Sequence, residues 1–382
     1  MTEKESALYS QYIIDGIRHE AAPADLLDEC MRFPHPQTRD SQRYADIIDE
    51  STDPPVTSFT YDPDLHKDYM QSCVKALKDD RSFRMLYPDT FTRQRIAASL
   101  IDRLWNDGHY RLGDLTVWAR WSWNTRPLGN MAAFYTSAEA VGMYLFDLGV
   151  RLADYLFEEE DGESHARFFS WLPEKEEVED EEDMQLKSSP YESRHPWISD
   201  ERRCGNIISP DPQSWIIYIP FDTCAYSLGG SLLAQVHGRN GGIGPRIQDP
   251  DYFIDCYEVV RELVEDGIVM AGATVSDGGL GTAATLMCGD HGMELDLSGI
   301  TSSYQEDDTT KILFGEVPGI LIQINDSDYD YLDSQLILQD VAYYPIGRPS
   351  YDFKGIRFRN GRKADVAGIL ASLLEQATEG ED

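Results

Sequence analysis

Basic residues are scarce in this 382-residue chain, which has 33 Lys and Arg against 68 Asp and Glu and a formal net charge of −35 at pH 7. Binding to nucleic-acid phosphates or to an anionic membrane surface needs clustered Lys and Arg. We therefore expect no nucleic acid and no membrane among its partners. Two causes of the acidity remain open. One is a solvated acidic surface, which is the commoner cause, and the other is a decoy surface that mimics nucleic acid and captures a basic protein partner.

Cysteine and long apolar runs are also scarce. The six Cys lie far apart, without a Cys-x-x-Cys pair, which is typical of buried thiols in a reducing compartment and not of a disulfide framework or a zinc site. No stretch approaches the ~18 uninterrupted apolar residues of a membrane span. Residues 1–5 lack the basic and apolar regions of a signal peptide. These absences predict a cytoplasmic protein without a metal site.

Apolar residues are nevertheless plentiful enough for a packed core, at 41% of the chain with 7 Trp, 21 Tyr and 14 Phe. Helical spacing at residues 8–17, 69–77 and 93–105 predicts a helical leading segment over residues 1–110. A strand pattern at 115–121 and a helix pattern at 132–148 open a second segment, residues 111–204. Its acidic run, residues 158–183, predicts a mobile loop or insertion, because like charges repel and extend the chain.

Strand and helix patterns mix over residues 205–350 without strict β-α-β repetition, which predicts an α+β fold. The helix after Asp249 has the clearest signals, since Asp249 is a good N-cap, Pro250 stands in the first turn and Gly267 closes the end. Residues 351–382 complete the chain, with a strand predicted at 355–358 and a terminal helix at 366–377.

Two glycine-rich turns follow predicted strands in this part of the chain. Glycine lacks a Cβ and tolerates positive φ, so backbone at such turns can approach a phosphate or another backbone closely. The alternative for both turns is tight packing on the core, and for Asp277 the helix N-cap is the commoner role. The candidate residues for phosphate or nucleotide binding are Gly229, Gly230, Ser231, Ser276, Asp277, Gly278, Gly279 and Glu316.

The order of these motifs carries a family resemblance. Residues 217–319 contain an apolar strand, Leu-Gly-Gly-Ser at 228–231, Ser-Asp-Gly-Gly-Leu at 276–280 and Leu-Phe-Gly-Glu at 313–316. This stretch resembles the carboxy-terminal domain of the aminoimidazole ribonucleotide synthetase superfamily, and in particular the second half of the long-chain phosphoribosylformylglycinamidine synthases of purine biosynthesis. The resemblance implies a synthetase-like α/β domain at 205–350, preceded by an incomplete amino-terminal subdomain, with the two glycine turns close together.

The resemblance also implies a chemistry. Family members are ATP-dependent carbon–nitrogen ligases, so Mg and ATP or ADP are the implied cofactors, and residues 229–231 are the implied contact to a substrate phosphate. Members pair through strands of their first subdomain, which implies a homodimer or docking on a related chain.

The chain departs from the family where charged groups are expected. Residues 121–135 resemble the segment before the family's Gly-Lys-Asp-Ser nucleotide loop, but residues 152–156 read Leu-Ala-Asp-Tyr-Leu and lack the Lys. Ala273 and Thr274 replace a His-Asp pair, and nothing resembles a glutaminase domain. Phosphoryl transfer depends on positioning and charge neutralisation, so a local shortage of cations favours a catalytically degenerate scaffold that acts in interaction or regulation. An active synthase, or a subunit of one, is the alternative.

Overall fold

The computed structural model describes residues 6–32, 59, 61–79, 81–106, 110–172, 202–239 and 241–359, which form an α+β fold. The helices are α1 (Pro23–Arg32), α2 (His66–Ala76), α3 (Pro88–Ile101), α4 (Asn130–Asp147), α5 (Leu232–Val236), α6 (Pro250–Glu265), α7 (Gly279–Cys288), α8 (Ser298–Tyr304), α9 (Thr309–Phe314) and α10 (Tyr329–Leu338). The strands are β1 (Ile13–Ile14), β2 (Ile17–Arg18), β3 (Thr116–Trp123), β4 (Arg151–Glu159), β5 (His165–Trp171), β6 (Ser214–Pro220), β7 (Val269–Val275), β8 (Gly292–Leu295), β9 (Gly319–Asn325), β10 (Tyr344–Ser350) and β11 (Gly355–Phe358). Within these ranges, no helix combines the length and apolarity that crossing a membrane requires.

The larger sheet has six strands in the order β11-β8-β10-β6-β9-β7. Neighbouring strands are antiparallel except β11 and β8, which are parallel. The central strands β6 and β9 are apolar almost throughout and buried almost throughout. Such continuous apolar runs are typical of strands with both faces covered.

The smaller sheet has three strands in the order β4-β3-β5. Strand β3 runs parallel to β4 and antiparallel to β5. Parallel neighbours need a crossover connection, and α4 provides it. Trp121 of β3 is fully buried, and its ring packs edge-on against Phe134 of α4. The strand predicted at 115–121 and the helix predicted at 132–148 are therefore confirmed.

Helix α3 connects the two sheets. It begins at Pro88, whose fixed φ suits the first turn of a helix. It contacts β5 of the smaller sheet and β7 and β9 of the larger sheet. Its buried Phe91 and Leu100 belong to the same hydrophobic core as Ile217 and Leu321 of the larger sheet. The leading part of the chain thus shares its core with the rest of the protein.

Two predictions of local structure are wrong. Residues 8–17 were expected to be helical, but β1 and β2 form a hairpin through Asp15 and Gly16, whose φ values of 51° and 82° suit a two-residue turn. The acidic run 158–183, expected to form a mobile loop or insertion, is mostly strand where it is described, because Glu158 and Glu159 end β4 and residues 165–171 form β5. Arg120 on the neighbouring strand lies 2.5 Å from Glu158 and offsets its charge. Residues 173–183 and the terminal helix predicted at 366–377 lie outside the described residues.

Candidate functional site

The two glycine-rich turns lie side by side, as the motif order predicts. The first, residues 228–231, precedes α5, and the second, residues 276–278, precedes α7. The Glu316 carboxylate bridges them, because its Oε1 accepts hydrogen bonds from Leu232 N at 2.6 Å and from Gly278 N at 2.7 Å. Only 1% of the Glu316 side chain is exposed. The prediction that the two glycine turns lie close together is confirmed.

Three further backbone donors at the two turns have acceptors within the protein. Gly229 N donates to Ile243 O at 2.8 Å, and Gly279 N donates to Ser276 O at 2.8 Å. Ser231 N donates to Leu228 O, while the Ser231 Oγ accepts from Ala234 N and caps α5. These donors therefore stabilise the turns themselves, which is the tight-turn alternative considered from the sequence.

The glycines are required by close backbone packing. A Cβ at Gly229 would lie 2.3 Å from Gly242 O, so no side chain fits where the two chain segments cross. Gly279 has a φ of +67°, and a Cβ there would lie 2.5 Å from Leu313 O. Both positions thus need glycine for packing alone.

Asp277 does not cap α7, so the N-cap prediction is wrong. The N-cap position is Gly278, and no side chain accepts a hydrogen bond there. The Asp277 carboxylate instead faces two arginines, with Oδ1 2.7 Å from Arg81 Nη1 and Oδ2 2.9 Å from Arg95 Nη2. A buried carboxylate is stabilised more by nearby cations than by one backbone N–H.

Arg84 completes a buried network around Glu316. Its Nη2 lies 2.6 Å from Glu316 Oε2 and 3.4 Å from Asp277 Oδ1. Its Nη1 donates to Gln94 Oε1, and Gln94 Nε2 donates to Glu316 O. We call Arg81, Arg84, Arg95, Asp277 and Glu316 the arginine–carboxylate cluster.

The cluster corrects the expected shortage of cations. The three arginines come from the leading segment, which the sequence analysis left without a role, and they reach Asp277 across about 190 residues of sequence separation. No local spacing rule links positions so far apart. Residues 152–156, which stand where the resemblance puts the family's nucleotide loop, contain no Lys or Arg and lie in strand β4.

The cluster shifts two pKa values. Burial alone would raise the pKa of the Asp277 carboxyl, but the guanidiniums of Arg81, Arg95 and Arg84 lower it to about 2. Burial and the nearby Arg81 lower the pKa of Arg84 to about 10, although Glu316 and Asp277 oppose this shift. Both groups are therefore charged at neutral pH.

The carboxylates of the cluster do not fit a magnesium ion. Mg²⁺ in nucleotide sites is held by one or two carboxylates together with phosphates, whereas Asp277 and Glu316 are already neutralised by arginines. Within the part of the chain that the structure describes, no group of three or more His, Cys, Asp or Glu side chains is placed to hold a metal. We assign no metal-dependent step to these residues.

Replacing Glu316 should destabilise the fold strongly. Glu316→Ala leaves the N–H groups of Leu232 and Gly278 and the Arg84 guanidinium without their acceptor, so we expect the free energy of unfolding to fall by about 4 kcal/mol in urea denaturation. The matched control is Glu294→Ala, which removes an ion pair to Arg359 that is 44% and 65% exposed. The control should change stability by less than about 1 kcal/mol. Equal losses for the two variants would contradict the role given to Glu316.

The Asp277 contribution to stability should depend on pH. Its carboxyl has a pKa of about 2 in the folded chain, below the ~3.9 of an unfolded Asp, so its stabilisation is fully present above about pH 4 and is lost as the pH falls towards 2. We expect the difference in unfolding free energy between wild type and Asp277→Asn to shrink by about 2 kcal/mol over this window.

Urea denaturation at several pH values between 5 and 2 would measure this difference, and the titration of all other carboxyls cancels in it. The control is Asp290→Asn, since the Asp290 side chain is 96% exposed. Its difference from wild type should stay constant with pH. A constant difference for Asp277→Asn would argue against the arginine-held carboxylate.

Part of the chain matches a known family model. Residues 226–348 match the family model described as AIR synthase related protein, C-terminal domain. The probable phosphoribosylformylglycinamidine synthase, chloroplastic/mitochondrial, of Arabidopsis thaliana is 35% identical over 122 residues, and the phosphoribosylformylglycinamidine synthase of Homo sapiens is 26% identical over 121 residues. Each match covers 31% of this chain but only 8% and 9% of those relatives.

A solved structure shares the fold over a longer stretch. T. maritima PurL complexed with FGAR aligns with a TM-score of 0.51 and 12% identity over 73% of this chain and 42% of that chain. At this identity the likeness shows the fold alone. Residues 226–348 therefore resemble AIR synthase-related proteins and phosphoribosylformylglycinamidine synthase in sequence, and the chain is similar to T. maritima PurL in fold.

Proposed function

We propose that the chain is a catalytically degenerate relative of phosphoribosylformylglycinamidine synthase, whose scaffold acts in interaction or regulation. One observation carries this proposal: the Glu316 carboxylate accepts the backbone N–H groups of Leu232 and Gly278. A phosphate arriving at either turn would have to displace a carboxylate that is also paired with the buried Arg84. The turns are occupied by the protein's own anion.

The lack of a fitting magnesium site supports the same proposal. Asp277 and Glu316 are paired with arginines, so neither carboxylate is available to bridge a metal to a nucleotide. The strand at residues 151–159 supplies no lysine where the family's nucleotide loop would stand. Phosphoryl transfer without metal and lysine loses most of its charge stabilisation.

An active ATP-dependent synthase, or a subunit of one in purine biosynthesis, is the second candidate. The observation in its favour is the supply of cations by Arg81 and Arg95 beside Ser276 and Asp277. Arginines that stabilise charge on a transferring phosphoryl group are a recurring part of such chemistry.

Calorimetry with Mg-ATP and a phosphate-release assay with formylglycinamide ribonucleotide and ammonia would separate the two candidates. We expect at most weak nucleotide binding and no phosphate release that depends on the ribonucleotide, because Glu316 already accepts the N–H groups of Leu232 and Gly278 at the two turns. An active phosphoribosylformylglycinamidine synthase assayed in parallel is the positive control. Tight nucleotide binding together with substrate-dependent release would overturn the degenerate scaffold in favour of the enzyme.

The proposed interaction role includes self-association or docking on a related chain. In the described part of the chain, β4 and β5 pair with β3 on one side only, and no strand pairs with their outer edges. Unpaired sheet edges in soluble proteins are normally covered or protected. Leu156 on β4 is also 38% exposed, which adds apolar surface at one edge.

Light scattering at micromolar concentration would test this assembly. We expect a mass of twice the 43.3 kDa of one chain, and we expect Leu156→Lys to shift the population towards the monomer, because a charge on the β4 surface opposes association. Leu338→Lys, at a side chain that is 76% exposed on α10, is the control and should leave the mass unchanged. A wild-type protein that is cleanly monomeric would count against the homodimer.

A further inference from the structure

The arginine–carboxylate cluster carries more positive than negative charge. Its three guanidiniums face two carboxylates, and the exposed fractions of the Arg81, Arg84 and Arg95 side chains are 6%, 2% and 28%. Within the described residues, the ion pairs of these arginines all go to Asp277 and Glu316. One positive charge is left over in a buried setting, where an uncompensated charge is costly.

Several donors of these arginines also lack acceptors. The Nε atoms of Arg81, Arg84 and Arg95 are buried without a hydrogen-bond partner in the described structure. Arg81 Nη1 lies close to Asp277 but does not direct a hydrogen bond at it. Buried polar groups are nearly always paired, and those left unpaired point to a bound group. Arg95 is also held over the Phe91 ring at 4.8 Å, which fixes its position.

A cavity of about 280 Å³ opens beside two of the arginines. Its lining includes Arg81, Arg95, Ser276 and Asp277 together with the apolar side chains of Ala98 and Phe168. The charged side chains on its wall are Arg81, Arg95, Arg167, Asp102 and Asp277, which sum to one positive charge. In a chain of net charge −35, this cavity therefore favours an anion.

The size and chemistry of the cavity restrict the anion. Pockets for drug-sized ligands begin at about 300 Å³, so a cavity of about 280 Å³ suits one phosphate with a small organic part and not a nucleoside triphosphate. Guanidinium groups bind phosphate oxygens through paired N–H donors. Two arginines with unused N–H donors suit a phosphate group, which has three terminal oxygens as acceptors. The apolar residues of the cavity suit contact with a carbon skeleton.

We propose that Arg81 and Arg95 bind the phosphate group of a small molecule in this cavity, with any organic part against Phe168 and Ala98. This site borders the second glycine turn at Ser276 and Asp277 but uses arginine donors, and it needs neither ATP nor magnesium. Its existence is therefore independent of whether the chain has lost catalysis. The phosphate can come from free phosphate or from a small phosphate monoester, which share this chemistry.

Calorimetric titration of the full chain with inorganic phosphate and with phenyl phosphate, in a chloride buffer of low ionic strength without ATP, would test the site. We expect saturable binding with one site per chain. Tighter binding of phenyl phosphate would identify a monoester as the natural class, and equal or tighter binding of inorganic phosphate would identify the free ion. Absence of saturable binding for both probes would overturn the proposal.

Variants of residues that line the cavity test where the phosphate binds. Arg95→Gln should weaken phosphate binding by about tenfold or more, because it removes a charge-assisted donor pair. Arg126→Gln is the matched control, since Arg126 pairs with Asp161 on the surface and both side chains are 73% exposed. It should bind like wild type.

Ala98→Leu gives a second measurement that leaves all arginines in place. The larger side chain fills the apolar part of the cavity, so it should weaken phenyl phosphate more than inorganic phosphate if the monoester binds there. Circular dichroism would confirm that each variant is folded. Equal affinities of Arg95→Gln, Ala98→Leu and wild type for both probes would remove the cavity as the binding site.

Discussion

The hydrogen-bonded ion pair between Glu316 and Arg84 holds the centre of this structure together. A buried carboxylate is stable only when its lone pairs and its charge are both satisfied. Glu316 meets this requirement by accepting from two glycine turns and by pairing with Arg84. Segments that are more than 200 residues apart in sequence are thereby fixed in one geometry. The Glu316 backbone has a φ of 55°, a conformation that is uncommon for residues other than glycine.

This interaction makes the leading segment part of the larger domain. Arg84 and Gln94 reach the Glu316 loop, and Tyr87 donates to Gly242 O beside the first glycine turn. Trp105 of the leading segment also packs closely against strand β7. A Cβ at Gly272 of this strand would lie 2.3 Å from the Trp105 ring. Gly272 is therefore required because the Trp105 ring leaves no room for a side chain, as nearby backbone leaves none at Gly229 and Gly279. Packing accounts for residues that the sequence motif suggested for a ligand.

Local signals predicted much of the fold, and long-range pairing limited the rest. Strand β6 and helix α6 were predictable because apolar runs, the Asp249 cap and Gly267 act within a few residues. The hairpin at Ile13–Arg18 was missed because its short strands carry little alternation, and α8 and α10 were missed because their apolar stripes are narrow. The motif order correctly predicted that the glycine turns meet. The motif order gave no indication of Arg81, Arg84 and Arg95, because no local sequence pattern around them indicates that they pair with Asp277.

The same backbone geometry can serve a ligand or the protein itself, and the source of the anion decides which. A glycine turn before a helix offers N–H donors to any suitably placed oxygen. Here the oxygen belongs to Glu316, so the turn is satisfied before a phosphate can arrive. The cluster has three arginines and two carboxylates, so one positive charge is left over. In the proposed site, an anion in the cavity beside Arg81 and Arg95 balances this charge. The two proposals together describe a scaffold that has lost one anion site and gained another through side chains outside its recognisable motif.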